Sequence, residues 1–427
     1  YSCADVDAHW SNDWPSVIAA LNSLIQQGQI CGDEPLSSKL YAAHYNYAAV
    51  LEDGGDGETA VFHYTSAFNI DPNRAEAVNA LIRMNALPEP TAIPCLSSIP
   101  PRPDPAVTEI PDAMLFVQTQ GNQLFLQGQP YKVKGVNYYP RHASWHQFLT
   151  EANLVEVAAE LKLIQEAGFN TLRIFLWYEP LFTCQPEDAI PNEEAFARLD
   201  DVLQLASEHN LKVIVTLNDL PDLTFRPLYT DWARYDAQTT YIVRRYRHEP
   251  AILAWDLRNE GDLDYGARAD DEARFEQQIV LDWLAYTSEL VRVNDPYHLL
   301  TAGWWGDPTV TSEYVDILSF HHWHDPAELP DRINKYDISS QPILVEEIGY
   351  HSWQDAPQDQ RSEEAQAALL SQAVKLIDEE NVAGWLIWAA FDFVPVSGQT
   401  PSYEHCFGLW RSDLTPKPAL FQIFAEN

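Results

Sequence analysis

The stretch ILAWDLRNE, residues 252–260, is an apolar run that ends in Arg258, Asn259 and Glu260. It is short and apolar on both faces, which marks a strand covered on both sides rather than a half-exposed one. Strands of this kind belong to a parallel sheet with helices packed over it. Working outward, similar runs occur at 131–136, 170–175, 212–217, 299–303, 316–321, 343–347 and 383–391. Helical spacing of apolar residues is readable at 153–167, 194–209, 231–246, 270–293, 363–380 and near 416–424. Eight such strands over roughly 295 residues predict an α/β fold, a (β/α)8 TIM barrel. An open doubly wound sheet is the alternative, but no G-x-G-x-x-G follows the first strand. Just upstream, AMLFVQTQGNQLFLQGQP (113–130) reads as a hairpin with turns at 120–122 and Gly128, placed to cap the N-terminal end of the barrel.

A barrel gathers its catalytic groups at the C-terminal ends of its strands. Arg173, Asn259, Glu260, His321, Glu346, Glu347 and Trp388 fall at or near those ends. Glu260 and Glu347 would face each other across the barrel mouth. Two carboxylates flanking one bond are the minimum equipment for glycoside hydrolysis, one protonating the leaving oxygen and the other attacking the sugar carbon. The acid needs a pKa raised by apolar surroundings or by its negative partner. The nucleophile needs a cation or a hydrogen-bond donor, and Arg173 is placed to supply it. Asn259 is placed to bond a sugar hydroxyl, Trp388 to stack on a sugar face, and His321 to orient the nucleophile or touch substrate. A lone strand-end glutamate is more often a solvated carboxylate, and Arg173 can equally close a salt bridge beneath the site. It is the pairing of the two glutamates that favours chemistry. Trp145, Trp304, Trp305 and Trp323 lie near strand ends or in the first loop and are further candidates for sugar contact. Asp219 and Asp222 follow the third strand and are candidates for a distal sugar. His322 and His324 invite a metal reading, but no third ligand is evident and no metal site is expected.

WDLRNEGD (255–262) resembles the fourth-strand signature of the large glycoside hydrolase clan built on (β/α)8 barrels, in which Asn-Glu carries the acid/base. PILVEEIG (342–349) is similar to the nucleophile strand of that clan. KGVNYYP (134–140), NTLRIFLWY (170–178) and GLWRSDLTPKPA (408–419) resemble segments of glycoside hydrolase family 5, including its mannanase- and cellulase-like members. The resemblance spans about 113–427. It implies Glu260 as acid/base, Glu347 rather than Glu346 as nucleophile, and a retaining enzyme with carboxyl groups about 5 Å apart. His322–Trp323 replaces the tyrosines many relatives carry after the sixth-strand histidine, so Tyr139 and Tyr178 become candidates for a tyrosine contact to the nucleophile. Leu414 replaces a common glycine in the last segment. Glu346 is expected to point away from Glu347, because strand side chains alternate, and to pair with a buried arginine or lie beneath the site.

The implied activity is a retaining β-glycoside hydrolase, with β-mannan the favoured substrate. A β-1,4- or β-1,3-glucanase and an exo-acting β-glycosidase are the alternatives, and a carbohydrate-binding or protein-docking module is a weaker one. The long first loop (138–152), the third loop (218–230) and an insert at 392–407 are placed to close one end of the cleft. Hydrolysis needs no cofactor, and none has a fingerprint in the sequence.

The N-terminal part is read as all-helical over residues 1–85. Helical spacing covers 14–26, 39–51, 57–69 and 74–84, with a turn at 53–55. This stretch resembles a tetratricopeptide repeat at Ala48, Ala60, Tyr64, Ala67 and Pro72. A docking surface for a protein or glycan and a plain helical cap are both open readings. Residues 86–112 read as a stiff linker, with eight prolines between 86 and 111 and Cys95 inside it.

The 427 residues carry 26 Lys and Arg against 63 Asp and Glu, a net charge of −37. Nucleic acid is a poor partner for such a chain, and so is an anionic membrane surface. No apolar run is long enough to span a membrane. Five cysteines (3, 31, 95, 184 and 406) are compatible with one or two disulfides and with a secreted or cell-surface protein whose signal segment is not in this chain.

Overall fold

The computed structural model describes residues 2–27, 31, 35–71, 75–84, 86, 111–183, 190–219, 228–229, 232–267, 273–337, 340–354, 360–395 and 400–424. The chain forms two compact units, one over residues 1–91 and one carrying the sheet. Among the described residues no helix is long and apolar enough to cross a membrane.

The first unit is all-helical: α1 (Cys3–His9), α2 (Trp14–Gln26), α3 (Leu36–Asp53), α4 (Gly57–Ile70) and α5 (Ala75–Arg83). Asp13 accepts from the Ser16 N–H at the start of α2, and Asp56 from the Thr59 N–H at the start of α4, so each satisfies a donor the helix leaves open. Gly55, at φ +84°, takes the left-handed turn between α3 and α4. Ala48, Ala60, Tyr64 and Ala67 are buried together where α3 meets α4. A Cys3–Cys31 disulfide ties α1 to the chain after α2. Pro72, Cys95, Cys184 and most of the 86–112 stretch lie outside the described residues.

The second unit is a parallel barrel. Its strands are β1 (Val133–Asn137), β2 (Thr171–Phe175), β3 (Lys212–Thr216), β4 (Ile252–Asp256), β5 (Leu299–Thr301 and Gly303–Trp304), β6 (Leu318–His322), β7 (Ile343–Ile348) and β8 (Gly384–Ile387). Neighbours pair in chain order and β8 returns to β1. The fifth strand closes the circle in two pieces, the first bonded to β4 and the second to β6. Every residue of β2, β4, β6, β7 and β8 is buried, as in parallel strands covered on both faces.

Helices follow most strands: α6 (Leu154–Glu166), α7 (Glu193–Glu208), α8 (Asp236–Tyr246), α9 (Gln277–Asn294), α10 (Leu329–Tyr336), α11 (Glu363–Asp378) and α12 (Pro418–Gln422). Asn153, Asn192 and Ser362 cap α6, α7 and α11 through side-chain oxygens. The helical spacing read from the sequence did not include α10, and only a 3-10 turn (Pro308–Thr311) stands between β5 and β6. The eighth strand ends at Ile387, earlier than the expected 391. Trp388 still donates its N–H to Ile348, and Ala390 then turns to Asn137. Gln118–Gln120, Gln123–Leu126 and Gln129–Pro130 form a small antiparallel sheet. Its Val117 and Leu124 share a buried cluster with Val133, Ile214, Leu253, Ile317, Leu344 and Leu386, which plugs the N-terminal mouth of the barrel.

Candidate active site

Arg173 lies at the centre of the polar network at the C-terminal mouth. Its β2 position turns the guanidinium into the barrel, where it is fully buried. Nε and Nη2 donate to Asp256 Oδ2 at 3.1 and 2.6 Å. Nη2 also donates to Asn259 Oδ1 at 2.8 Å, and Nη1 to Asn137 Oδ1 at 3.2 Å. Nη1 reaches Glu347 Oε1 at 2.5 Å. Asp256 is itself held by the Thr216 hydroxyl at 2.7 Å and the Gly303 N–H at 3.1 Å. A planar, permanently charged fork can serve all these acceptors at once, which an ammonium cannot.

The chain enters the catalytic mouth from β4 through a left-handed residue. Glu260 has φ 49° and ψ 41°, a conformation costing a non-glycine residue on the order of 1 kcal/mol. Its N–H donates to Gly303 O at 2.6 Å, which pins the turn to β5. Gly261 follows, and a Cβ there would lie 2.8 Å from the Trp304 ring. Asp262 then accepts the N–H groups of Trp305 and Gly306 at 2.9 and 2.7 Å, and burial pushes its carboxyl up to about 7.

His321 joins the two glutamates. Its Nδ1 is 2.9 Å from Glu260 Oε1 and 3.4 Å from Glu347 Oε2. One ligand-type atom from each of Glu260, His321 and Glu347 lies within 4.8 Å of the others. Burial, with Arg173 adding to it, holds the His321 ring well below its ordinary pKa, so it is neutral with one ring proton. For Glu347 burial dominates and raises the pKa, Arg173 opposes, and the Glu260 charge adds to the rise. Two carboxylates so close share a proton readily and resist a second ionisation.

Glu346 corrects one expectation. Alternation was to turn it away from Glu347, yet its Oε1 lies 3.7 Å from Arg173 Nε. Val345 pairs with Phe320 and Glu347 with His321, so Glu346 is the extra residue of a bulge in β7. A bulge breaks the alternation and brings both side chains to one arginine. Arg173 is the buried arginine that Glu346 was expected to approach.

A cavity of about 620 Å³ opens above this network. Asp219, Asn259, Glu260 and Glu347 line its polar floor, and Trp145, Trp177, Trp305, Trp323 and Trp388 its walls. Tyr403, Glu404 and Phe407, from the insert expected over 392–407, complete it. Gly349 makes room for one wall, since a Cβ there would come within 2.3 Å of the Trp323 ring. Trp177, Tyr403, Glu404 and Phe407 were not singled out by the sequence. The only hints were the aromatic content of NTLRIFLWY and the insert's length.

The remaining candidates stand elsewhere. Trp304 does not line the cavity: it is fully buried, packs under Gly261 and donates Nε1–H to the Tyr265 hydroxyl at 2.9 Å. Tyr178 is buried beside Phe182 and Thr239, because Trp177 and Tyr178 leave β2 on opposite sides and Trp177 takes the cavity side. Tyr139 is buried below the floor, where its hydroxyl donates to Asp219 Oδ2 at 2.9 Å and accepts from Trp177 Nε1 at 2.8 Å. Asp219 in turn accepts from Asn259 Nδ2 at 3.0 Å. Asp222 lies outside the described residues. His322 faces Asp325 and Arg332.

The sequence profile of the cellulase family, glycosyl hydrolase family 5, matches residues 126–393. The chain is similar to mannan endo-1,4-beta-mannosidase A of Hypocrea jecorina, 27% identical over 223 residues, 45% of this chain and 47% of that protein. Mannan endo-1,4-beta-mannosidase 2 of Oryza sativa subsp. japonica is 26% identical over 238 residues, 47% of this chain and 51% of that protein. The chain thus spans about half the length of these curated relatives. Among solved structures, a GH5_18 variant from Streptomyces cattleya in complex with Manb1-4GlcNAc superposes with a TM-score of 0.56 at 22% identity, over 69% of this chain and 79% of that one. The endo-1,4-beta-mannanase of Rhizomucor miehei gives 0.55 at 18% identity, over 72% and 97%. At these identities the structural likeness is one of fold.

Proposed function

The chain belongs to glycosyl hydrolase family 5, and from that premise we propose a retaining hydrolase of β-linked glycosides, acting on β-mannan, with Glu260 as acid/base and Glu347 as nucleophile. The observation that carries this reading is the close approach of the two carboxylates, one oxygen of each within 4.8 Å of the other, at the floor of an aromatic cavity. Retaining enzymes hold their carboxyl groups about 5 Å apart, and inverting ones leave room for a water.

In the proposed reaction the proton shared by the pair resides on Glu260, and Arg173 offsets part of the burial that raises Glu347. Glu347 attacks the anomeric carbon while Glu260 gives its proton to the leaving oxygen. The glycosidic bond breaks and a glycosyl ester to Glu347 forms. Glu260, now a carboxylate, takes a proton from water as the water attacks the same carbon. The ester bond breaks and both carboxyl groups return to their first state. Asn259, held by Arg173 and Asp219, is aimed at a sugar hydroxyl, and Trp388 and Trp323 offer flat faces to sugar rings. Mannan is favoured because the curated relatives named above are mannan endo-1,4-beta-mannosidases.

Two further parts belong to this proposal. The chain works outside the cytosol, a reading the Cys3–Cys31 disulfide supports. Residues 1–85 dock a protein partner, a reading supported by the exposed side chains of Val50 and Phe62. Replacing both with serine in the intact chain should weaken partner capture and leave hydrolysis unchanged.

The test of the reaction is hydrolysis of β-mannan, β-1,4-glucan, β-1,3-glucan and their oligosaccharides, with product anomers followed by NMR. First release of the β-anomer from mannan, abolished in Glu347→Ala, is expected. First release of the α-anomer would overturn the retaining mechanism, and turnover of glucan alone would overturn the substrate.

A further inference from the structure

Two buried polar groups beneath the glutamate pair are left over by the chemistry above. Among the described residues, Nε2 of His321 completes no hydrogen bond, and the Glu346 oxygens have only loose neighbours, the Ser319 hydroxyl and Arg173 Nε at 3.7 Å. Both residues are fully buried. Buried polar atoms without partners are rare and costly.

The orphaned atoms converge. A Cβ placed on Gly303 would lie 2.6 Å from Glu346 Oε2, 2.8 Å from His321 Nε2 and 2.9 Å from Arg173 Nη2. Gly303, at the break in β5, therefore leaves open the small space onto which the three atoms face. A side chain there would fill it.

The hydrogen positions follow from the charges around the ring. His321 Nδ1 faces the Glu260 carboxyl and the ionised Glu347, so the single ring proton belongs on Nδ1, where it donates to their oxygens. Nε2 is then an acceptor and needs a donor. Arg173 already spends its N–H groups on Asp256, Asn259, Asn137 and Glu347. Burial lifts the Glu346 carboxyl to about 8, with Arg173 opposing, so Glu346 carries a proton in neutral solution. The nearby Ser319 hydroxyl bonds to that of Thr301.

We propose that Glu346 is a positioning residue for the reaction: as a neutral acid it donates a hydrogen bond, through one water in the space beside Gly303, to His321 Nε2, and so fixes the tautomer that presents Nδ1–H to Glu260 and Glu347. An ionised Glu346 would accept instead, draw the ring proton to Nε2 and turn a lone pair toward the ionised Glu347. The inference rests on the proposed roles of Glu260 and Glu347 only for its effect on rate.

The test uses the whole chain labelled with 15N-histidine, with the His321 signals assigned by their loss in His321→Gln. In the wild type Nδ1 should give the protonated, pyrrole-type resonance and Nε2 a pyridine-type resonance shifted by an accepted hydrogen bond. Glu346→Gln keeps a neutral donor and should preserve both resonances and kcat. Glu346→Leu removes the donor, so the Nε2 resonance should move further downfield. Its kcat should fall about 10- to 100-fold, as for other residues that orient a histidine. A protonated Nε2 in the wild type would overturn the proposal. So would an unmoved Nε2 signal in Glu346→Leu, or a Glu346→Gln variant as impaired as Glu346→Leu. Because the NMR needs no substrate, it distinguishes failure of this inference from failure of the proposed reaction. If the Leu variant does not fold, the wild-type tautomer and the Gln variant still decide.

Discussion

Arg173 and Glu347 meet at 2.5 Å across 174 residues of sequence, and the same guanidinium clasps Asp256 and Asn259. One side chain thus favours the ionised form of the proposed nucleophile and aims the amide beside the proposed acid. Arg173→Lys keeps the charge but can point at only one or two of these acceptors. We expect kcat to fall about 100-fold, the scale for losing a fixed electrostatic partner at a reacting group, with KM little changed. Steady-state kinetics on the best substrate of the panel, beside a thermal melt to confirm folding, checks this. An unchanged kcat would mean that Arg173 only braces the barrel.

Tyr139 acts at one remove. Its hydroxyl holds Asp219, and Asp219 holds Asn259. In Tyr139→Phe both Asp219 Oδ2 and Trp177 Nε1 lose a partner. A buried hydrogen bond to a charged group is worth roughly 1.5–3 kcal/mol, so kcat/KM should drop about tenfold or more. A variant indistinguishable from the wild type would show that Asn259 is held by Arg173 alone.

Acid should loosen the helical unit. His44 Nδ1 lies 2.9 Å from His63 Nδ1, and burial, with the His63 charge adding, lowers His44 to about 4; burial lowers His63 as well. A base with a depressed folded pKa binds fewer protons folded than unfolded. Its stabilising contribution is present above the ordinary value near 6.5 and is lost as pH falls toward 4. Hydrogen-exchange protection of α3 and α4, corrected for intrinsic rates, should therefore decrease from pH 7 to pH 5. His44→Gln should flatten that dependence, and equal slopes in the two proteins would refute it.

Chelators separate the proposed mechanism from metal-assisted hydrolysis. Glu260, His321 and Glu347 approach closely enough to hold a cation. In the double displacement their atoms are engaged with one another and with substrate, so EDTA should leave the rate unchanged. Added zinc should inhibit by competing for the same three atoms. Activity lost on chelation and restored by a divalent ion would overturn the double displacement in favour of a metal-assisted route.

Much of the barrel was legible because it rests on short-range pattern. Both-face apolar runs such as ILAWDL and the helical spacing between them follow from the periodicity of the elements themselves. Arg173, Asn259, Glu260, His321 and Glu347 could be placed at strand ends by counting along those runs. Counting failed where the period broke. Residues 383–391 look like one strand, but pairing stops at Ile387. Trp177 and Tyr178 are adjacent aromatics at the end of one strand, and nothing in their local sequence says which faces the cavity.

The sequence by itself determined the order of the strands and of most helices between them, the strand that carries each polar group, and the family, since all of these are written in local composition and motif. Only the tertiary structure decided which rings wall the cavity, because the segments after β1, β2, β5, β6 and β8 meet there from distant parts of the chain. It also decided that Glu346 turns inward beside Glu347. That outcome depends on Glu346 having no partner in β6, a property of two strands in register that neither strand carries alone.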